Sequence, residues 1–162
     1  MSQLVPMSIK GLMLDPVSNS PIVVLKDDDE KFFLPIWVGI FEANAIALQL
    51  ENIATPRPMT HDLLRNTIAE LHGQVTRVVI NELRDSTFFA QIRILAGDRT
   101  LEVDARPSDA IALALRTEAP IFVAESVLQQ AQTISPEEEE DSDKTKKWFE
   151  NLGPDDLGKY KM

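Results

Sequence analysis

One hexapeptide pattern occurs twice in this chain. Ala45-Ile46-Ala47-Leu48-Gln49-Leu50 returns 65 residues later as Ala110-Ile111-Ala112-Leu113-Ala114-Leu115. A segment that is apolar on nearly every side is a helix only if it is buried on nearly every side, so each copy needs a layer to lie against. Each copy follows three strand-like runs and is soon followed by a proline, Pro56 or Pro120. The chain therefore reads as two βββα units, residues 5–53 and 75–117, joined by a helix at 61–71. The expected architecture is a single α+β domain. It has one mixed β-sheet packed with helices, and the two repeated helices are related by a pseudo-two-fold. Chance recurrence is the competing account, because Ala/Leu helices are common in sequence space.

The alternation of apolar residues supplies the elements. Residues 5–14 read as a strand with Val5, Met7, Ile9 and Met13 on one face. Turn formers fill 15–21, and Ile22–Leu25 and Phe32–Val38 are the next strands, separated by the charged turn Lys26–Lys31. Gly39 opens a helix from Ile40 to about Asn52, with Ile46, Leu50 and Ile53 as its buried stripe. Thr55-Pro56-Arg57-Pro58 is not helical, because a residue before proline is pushed to extended geometry. Thr60 is the expected N-cap of a helix from His61 to Leu71, with Leu64, Ile68 and Leu71 inward and Gly73 ending it.

Val75–Leu83 and Thr87–Ile94 form a hairpin about Arg84-Asp85-Ser86, and 100–105 is a further strand. Pro107 suits the first turn of the next helix, since its missing N–H would be unbonded there. Ala119–Val123 is the last strand, and Glu125–Gln130 a short helix. From Ser135 the composition changes. The expected domain is 1–134, followed by an acidic tail at 135–162 in which Trp148, Phe149, Leu152 and Tyr160 are available to dock on the core or on a partner.

Charge narrows the function classes. The formal net charge is −10. Residues 136–162 hold nine acids and five bases (−4), and residues 1–135 hold seventeen acids and eleven bases (−6). A protein that grips nucleic acid by neutralising phosphates normally presents a basic surface, so this chain has to concentrate its arginines locally if it binds one. There is no cysteine, which removes disulfides, thiolate zinc sites and a thiol nucleophile. The composition fits a reducing cytoplasm, no leader pattern stands at the N-terminus, and no membrane span is expected. Only six glycines occur and none cluster, so no phosphate-cradling loop and no organic cofactor are expected.

Two Arg-Pro helix entrances carry the chemistry-bearing residues. The first is Arg57-Pro58-Met59-Thr60-His61-Asp62, and the second is Asp104-Ala105-Arg106-Pro107-Ser108-Asp109. A histidine at a helix start beside an aspartate can move protons near neutrality. A helix N-terminus with an arginine favours phosphate, with Arg106 as a forked donor and Ser108 as another. Glu42 holds a similar first-turn position in the other repeat. The local alternative is that Asp109 caps its own helix, Arg106 pairs with a neighbouring carboxylate, and His61 is a loop histidine. Metal chemistry here would rest on carboxylates and suits Mg²⁺ or Mn²⁺.

The motifs together resemble the bifunctional nuclease domain family. They are Leu34-Pro35-Ile36-Trp37-Val38-Gly39 with Glu42-Ala43, Arg57 to Leu63, Asp85 to Ala90, Asp104 to Ala112, and Pro120-Ile121-Phe122-Val123. They fall in order over about residues 5–130. The resemblance implies a nuclease of bacterial type with plant relatives, acting on both DNA and RNA, with an α+β fold and a homodimer. It brings no agreed mechanism.

Three readings follow. In the nuclease reading, His61, Asp62, Asp104 and Asp109 are catalytic. Arg57, Thr60, Arg106 and Ser108 hold phosphate, and Asp104, Asp109 and Glu42 are the metal ligands. In the second, the same groups bind an anion or nucleotide without turnover, in a dimeric regulatory module. In the third, they are an ion-pair scaffold. A shared active site requires the two Arg-Pro entrances to converge. A buried, fully paired Arg106 would favour scaffolding, and an open cleft would favour chemistry.

Overall fold

The computed structural model describes residues 3–131. The acidic run and the apolar residues expected to dock from the tail lie outside them. The elements are β1 (Leu4–Leu14), β2 (Pro21–Asp27), β3 (Phe33–Trp37), α1 (Ile40–Leu50), α2 (Thr60–Glu70), β4 (Gly73–Arg84), β5 (Thr87–Ala96), β6 (Arg99–Ala105), α3 (Pro107–Thr117), β7 (Ile121–Ala124) and α4 (Glu125–Gln130). Among the described residues no helix is long and apolar enough to cross a membrane.

All seven strands join one mixed sheet in the order β3-β2-β1-β7-β4-β5-β6. Two antiparallel meanders, β1-β2-β3 and β4-β5-β6, extend to opposite edges. β7 lies between them, antiparallel to β1 and parallel to β4. The α+β class and the βββα order of both halves therefore stand as expected. β1 and β4 run in opposite senses, as a two-fold through β7 would require. Common ancestry of the halves remains a proposal from the repeat alone.

The repeated helices are the centre of the core. Ile46 on α1 and Ala110, Ile111, Ala112 and Leu113 on α3 are fully buried. Small side chains at alternate positions let α1 and α3 approach closely, and α3 touches α1, α2, β4 and β5. Pro107 opens α3, and Glu118 closes it in the left-handed region with φ 56°. The β4–β5 turn places Asp85 (φ 51°) and Ser86 (φ 62°) both at positive φ, the pairing that matches strand twist in two-residue hairpins.

Five local expectations fail. A bulge between Ile9 and Gly11 reverses the alternation of β1. Met13 therefore packs on a small second cluster with Ile22, Val24 and Phe33, while Met7 joins the main core. On α1 the buried residues are Ala43 to Leu48, and Leu50 and Ile53 are exposed, because the helix ends before its stripe completes a further turn.

α2 has no buried residue at all: Leu64 and Leu71 are exposed and Ile68 is half-buried. It lies at the rim of the helical layer, not beneath it. Thr60 is the first helical residue, and Met59 is the N-cap, its backbone N–H donating to Asp62 Oδ2 at 3.0 Å. At the far end, the left-handed residue is His72 (φ 63°). Gly73 instead starts β4, where a side chain would press on Ile68 and Ile94.

Candidate active site

The first turns of α2 and α3 bring the two Arg-Pro entrances together through one contact. His61 Nε2 lies 2.8 Å from Asp109 Oδ1. Asp109 Oδ2 in turn accepts from Arg106, at 3.0 Å from Nε and 2.8 Å from the terminal nitrogen. Arg106 reaches across to Glu42 Oε1 at 2.7 Å. His61, Asp109, Arg106 and Glu42 thus form one continuous chain of polar contacts spanning α2, α3 and α1. The two carboxylates hydrogen-bonded to Arg106 raise its pKa above the usual guanidinium value.

This chain sits in a cavity of about 670 Å³ whose other walls come from α1, α2 and the β5–β6 side of the sheet. Phe41, Leu64, Ile92, Ile94 and Val103 make those walls apolar. The His61 side chain is only 12 % exposed, and that of Arg106 is 65 % exposed. The histidine is therefore shielded and oriented, while the guanidinium faces outward where a ligand can reach it. A carboxylate only accepts, so in a neutral imidazole at this contact the proton sits on Nε2 and Nδ1 is the acceptor, the tautomer a general base needs.

Gly39 makes the geometry of Glu42 possible. A Cβ at Gly39 would collide with Glu42 Oε2, which folds back over the start of α1. Its φ of −73° suits any residue, so here the glycine supplies space, not backbone freedom.

Not every expected residue joins this cavity. Asp104 and Thr60 line it, and the exposed Asp104 side chain has no hydrogen bond or ion pair among the described residues. Asp62 turns to the other side of α2, where its Oδ1 accepts from Arg116 Nε at 2.7 Å. Arg57 lines a second cavity with Asp62, away from His61. Ser108 is buried and lines a third cavity with Trp37, Gly39 and Phe88, next to Arg106. The β3 end, the β4–β5 hairpin and the start of α3 thus meet there, although they are far apart in the chain.

Two of the three expected metal ligands are already engaged. Glu42 and Asp109 both bind the Arg106 guanidinium, and among the described residues no three His, Asp or Glu side chains group closely enough to hold an ion. The donor set as arranged does not fit Mg²⁺ or Mn²⁺.

Arg116 was not anticipated as part of this region. It is buried, and its terminal nitrogens donate to the carbonyls of Ala112 (2.8 Å) and Ala45 (3.0 Å) while Nε holds Asp62. One guanidinium therefore ties the two copies of the repeat to α2. The available signal was a positive charge in the last turn of a helix that is apolar nearly all round, which demands a buried partner. For Asp62, burial opposes ionisation. The Met59 N–H, the Arg116 hydrogen bond and charge, and the Arg65 charge outweigh it and hold the carboxyl below its ordinary range.

Comparison with known proteins gives a consistent grouping. The family model described as bifunctional nuclease domain matches residues 23–136. An uncharacterised protein of Mycobacterium tuberculosis is 39 % identical over 159 residues, covering 92 % of this chain and 95 % of that one. Bifunctional nuclease 1 of Oryza sativa subsp. japonica is 28 % identical over 112 residues, and Bifunctional nuclease 1 of Arabidopsis thaliana is 27 % identical over 118. Those matches cover 67 % and 70 % of this chain but 34 % and 36 % of the plant proteins.

Proposed function

Since this chain belongs to the bifunctional nuclease domain family, we propose that it hydrolyses phosphodiester bonds in DNA and RNA, with His61 and Arg106 as the working groups. The observation that carries the proposal is the continuous His61–Asp109–Arg106–Glu42 contact chain in one cavity. Asp109 fixes the imidazole tautomer, and His61 Nδ1 takes a proton from an attacking water. Water is the required nucleophile, because a DNA substrate has no 2′-hydroxyl to attack in its place. As oxygen bonds to phosphorus, the strand oxygen leaves with a proton from solvent, giving an alcohol and a phosphate monoester. Arg106 neutralises charge gathering on the phosphoryl oxygens, held in line for this by Glu42 and Asp109.

Charge raises a second reading. The cavity carries Glu42, Asp104 and Asp109 against Arg106, three negative charges to one positive. That balance disfavours a bare anion in this cavity, so the alternative of a non-catalytic anion- or nucleotide-binding module rests instead on the arginine-lined cavity on the other side of α2. Divalent-metal assistance stays within the proposal only if Glu42 or Asp109 leaves Arg106 to join Asp104, and no step above is routed through an ion. A cytoplasmic homodimer belongs to the same proposal, supported by the exposed apolar side chains of α2 and by Phe41 at the cavity mouth.

The test is cleavage of labelled single- and double-stranded DNA and RNA by the purified full chain, with Mg²⁺, with Mn²⁺ and with chelator. Arg106→Gln should lower the rate about 10²- to 10³-fold, the usual cost of losing a positioned charge-stabilising donor. Equal cleavage by wild type and Arg106→Gln would leave the nuclease without this site.

A further inference from the structure

α2 separates two cavities of opposite charge. On one side is the His61 cavity, with its excess of carboxylates. On the other is a cavity of about 390 Å³ between the end of α1, the 53–58 loop and α2. That size lies within the range of small-ligand pockets. Its charged lining is Arg57, Arg65 and Arg116 against Asp62, three positive charges to one negative, in a chain of net charge −10. Arg116 and Asp62 satisfy each other at the base of the cavity.

Arg57 and Arg65 remain. Neither forms an ion pair with a carboxylate among the described residues, while Arg65 Nε donates to the amide oxygen of Asn66 at 3.2 Å. The loop that carries Arg57 is stiffened by Pro56 and Pro58 and by the Thr55 hydroxyl, which donates to the Arg57 carbonyl at 2.8 Å. Its side chain is thus presented from a pre-set backbone, which lowers the ordering cost of binding. Exposed Ile53 adds an apolar wall beside the charges.

We propose that the Arg57–Arg65 cavity is a phosphate site for nucleotides, a phosphate lying between the two guanidiniums and the nucleoside against the Ile53 wall. Forked donors on a rigid loop match phosphate oxygens, and an apolar wall beside them matches a sugar and base. The role rests on the nuclease reading: the cavity holds a phosphate of the substrate strand while the His61 side carries the reaction. The consecutive residues His61 and Asp62 face the two cavities, so a phosphate held at one sets where the strand meets the other. The phosphate comes either from a free nucleotide or from the backbone of a strand.

Binding tests the site without relying on turnover. The full-length His61→Ala chain is titrated with inorganic phosphate, with adenosine 5′-monophosphate, and with a single-stranded oligonucleotide bearing a 5′-hydroxyl. Backbone amide shifts and calorimetry are the readouts. Shifts should gather at 49–65. Arg57→Gln with Arg65→Gln should weaken binding at least tenfold. The control pair Arg84→Gln with Arg99→Gln removes the same charge elsewhere and should leave affinity within twofold.

For the oligonucleotide, loss of the one phosphate held between the two guanidiniums should flatten the salt dependence by about 0.7 in log–log slope. Binding of the monophosphates indicates a terminal phosphate, and binding of the oligonucleotide alone indicates a backbone phosphate. Both support the site. Equal loss in the two double variants overturns it as net-charge attraction, as does no binding of any probe. A failed nuclease assay with intact, Arg57- and Arg65-dependent binding would sink the catalytic reading and leave this site standing.

Discussion

His61 Nε2 meets Asp109 Oδ1 at 2.8 Å across the first turns of α2 and α3, joining residues 48 positions apart. This contact converts two similar-looking Arg-Pro entrances into complementary halves of one site. The first supplies the imidazole, and the second supplies the carboxylate that orients it and the arginine beside it. Arg106 is paired with two carboxylates yet faces outward, whereas the buried, fully satisfied arginine is Arg116. The geometry therefore suits Arg116 to scaffolding and leaves Arg106 exposed for the chemical role proposed for it.

His61→Ala and Asp109→Asn should each lower cleavage about 10²- to 10⁴-fold, the usual yield of a positioned acid–base group. If the two act as a pair, the double variant should lose little more than the worse single one. Single-turnover rates on a labelled strand, with circular dichroism to verify folding, check this. Additive losses would mean that the two residues act independently.

Gly39→Ala should displace the Glu42 carboxylate and loosen its 2.7 Å contact with Arg106. The end of a side chain moves more cheaply than backbone, so the stability cost should stay near 1 kcal/mol, mainly from placing alanine at an N-cap. Activity should fall about tenfold, the worth of one charge-assisted hydrogen bond. Thermal melts and rates measured side by side separate the two effects. A large loss of stability with unchanged specific activity would contradict the role given to Glu42.

Asp62→Asn leaves the buried Arg116 guanidinium without its counter-charge and should cost about 3 kcal/mol at neutral pH. The sign with pH follows from the lowered carboxyl. Asp62 has an ordinary value of 3.8 and a lower one when folded. Its stabilisation is therefore complete above 3.8 and is lost as pH falls through the folded value. Urea melts from pH 7 to pH 2.5 should show wild type losing its advantage over Asp62→Asn only below about pH 3.8, the two curves converging there. Parallel curves would show that Asp62 is not the titrating partner.

Leu63 (59 % exposed) on α2 and Leu71 (74 % exposed) at its C-cap are the side chains to test for dimerisation. Light scattering coupled to gel filtration should give twice the chain mass for wild type. It should give the single-chain mass for Leu63→Asp with Leu71→Asp, if α2 is the shared face. A wild-type monomer at micromolar concentration would remove the homodimer from the proposal.

Much of the architecture was written in local pattern. The doubled Ala-Ile-Ala-Leu segment required two buried helices, alternation marked the strands, and Pro107 marked the start of α3. These are short-range signals, set by side-chain periodicity and by backbone restrictions that operate within a few residues. The same reasoning failed where a neighbour in space decides. A bulge against β2 turned Met13 to the other face, and the rim position of α2 left Leu64 and Leu71 outside.

Sequence alone supplied the chemistry-bearing residue types and put them at helix starts, because caps, prolines and charges declare those positions locally. Tertiary structure decided which of them meet. Successive helical residues diverge by about 100°, since each turn holds 3.6 residues. His61 and Asp62 therefore face different cavities although they are adjacent in the chain. The close packing of α1 on α3 brings Glu42 to Arg106 over 64 residues, and the docking of α2 on α3 brings His61 to Asp109. Those distances depend on how three helices share one sheet, which no local pattern encodes.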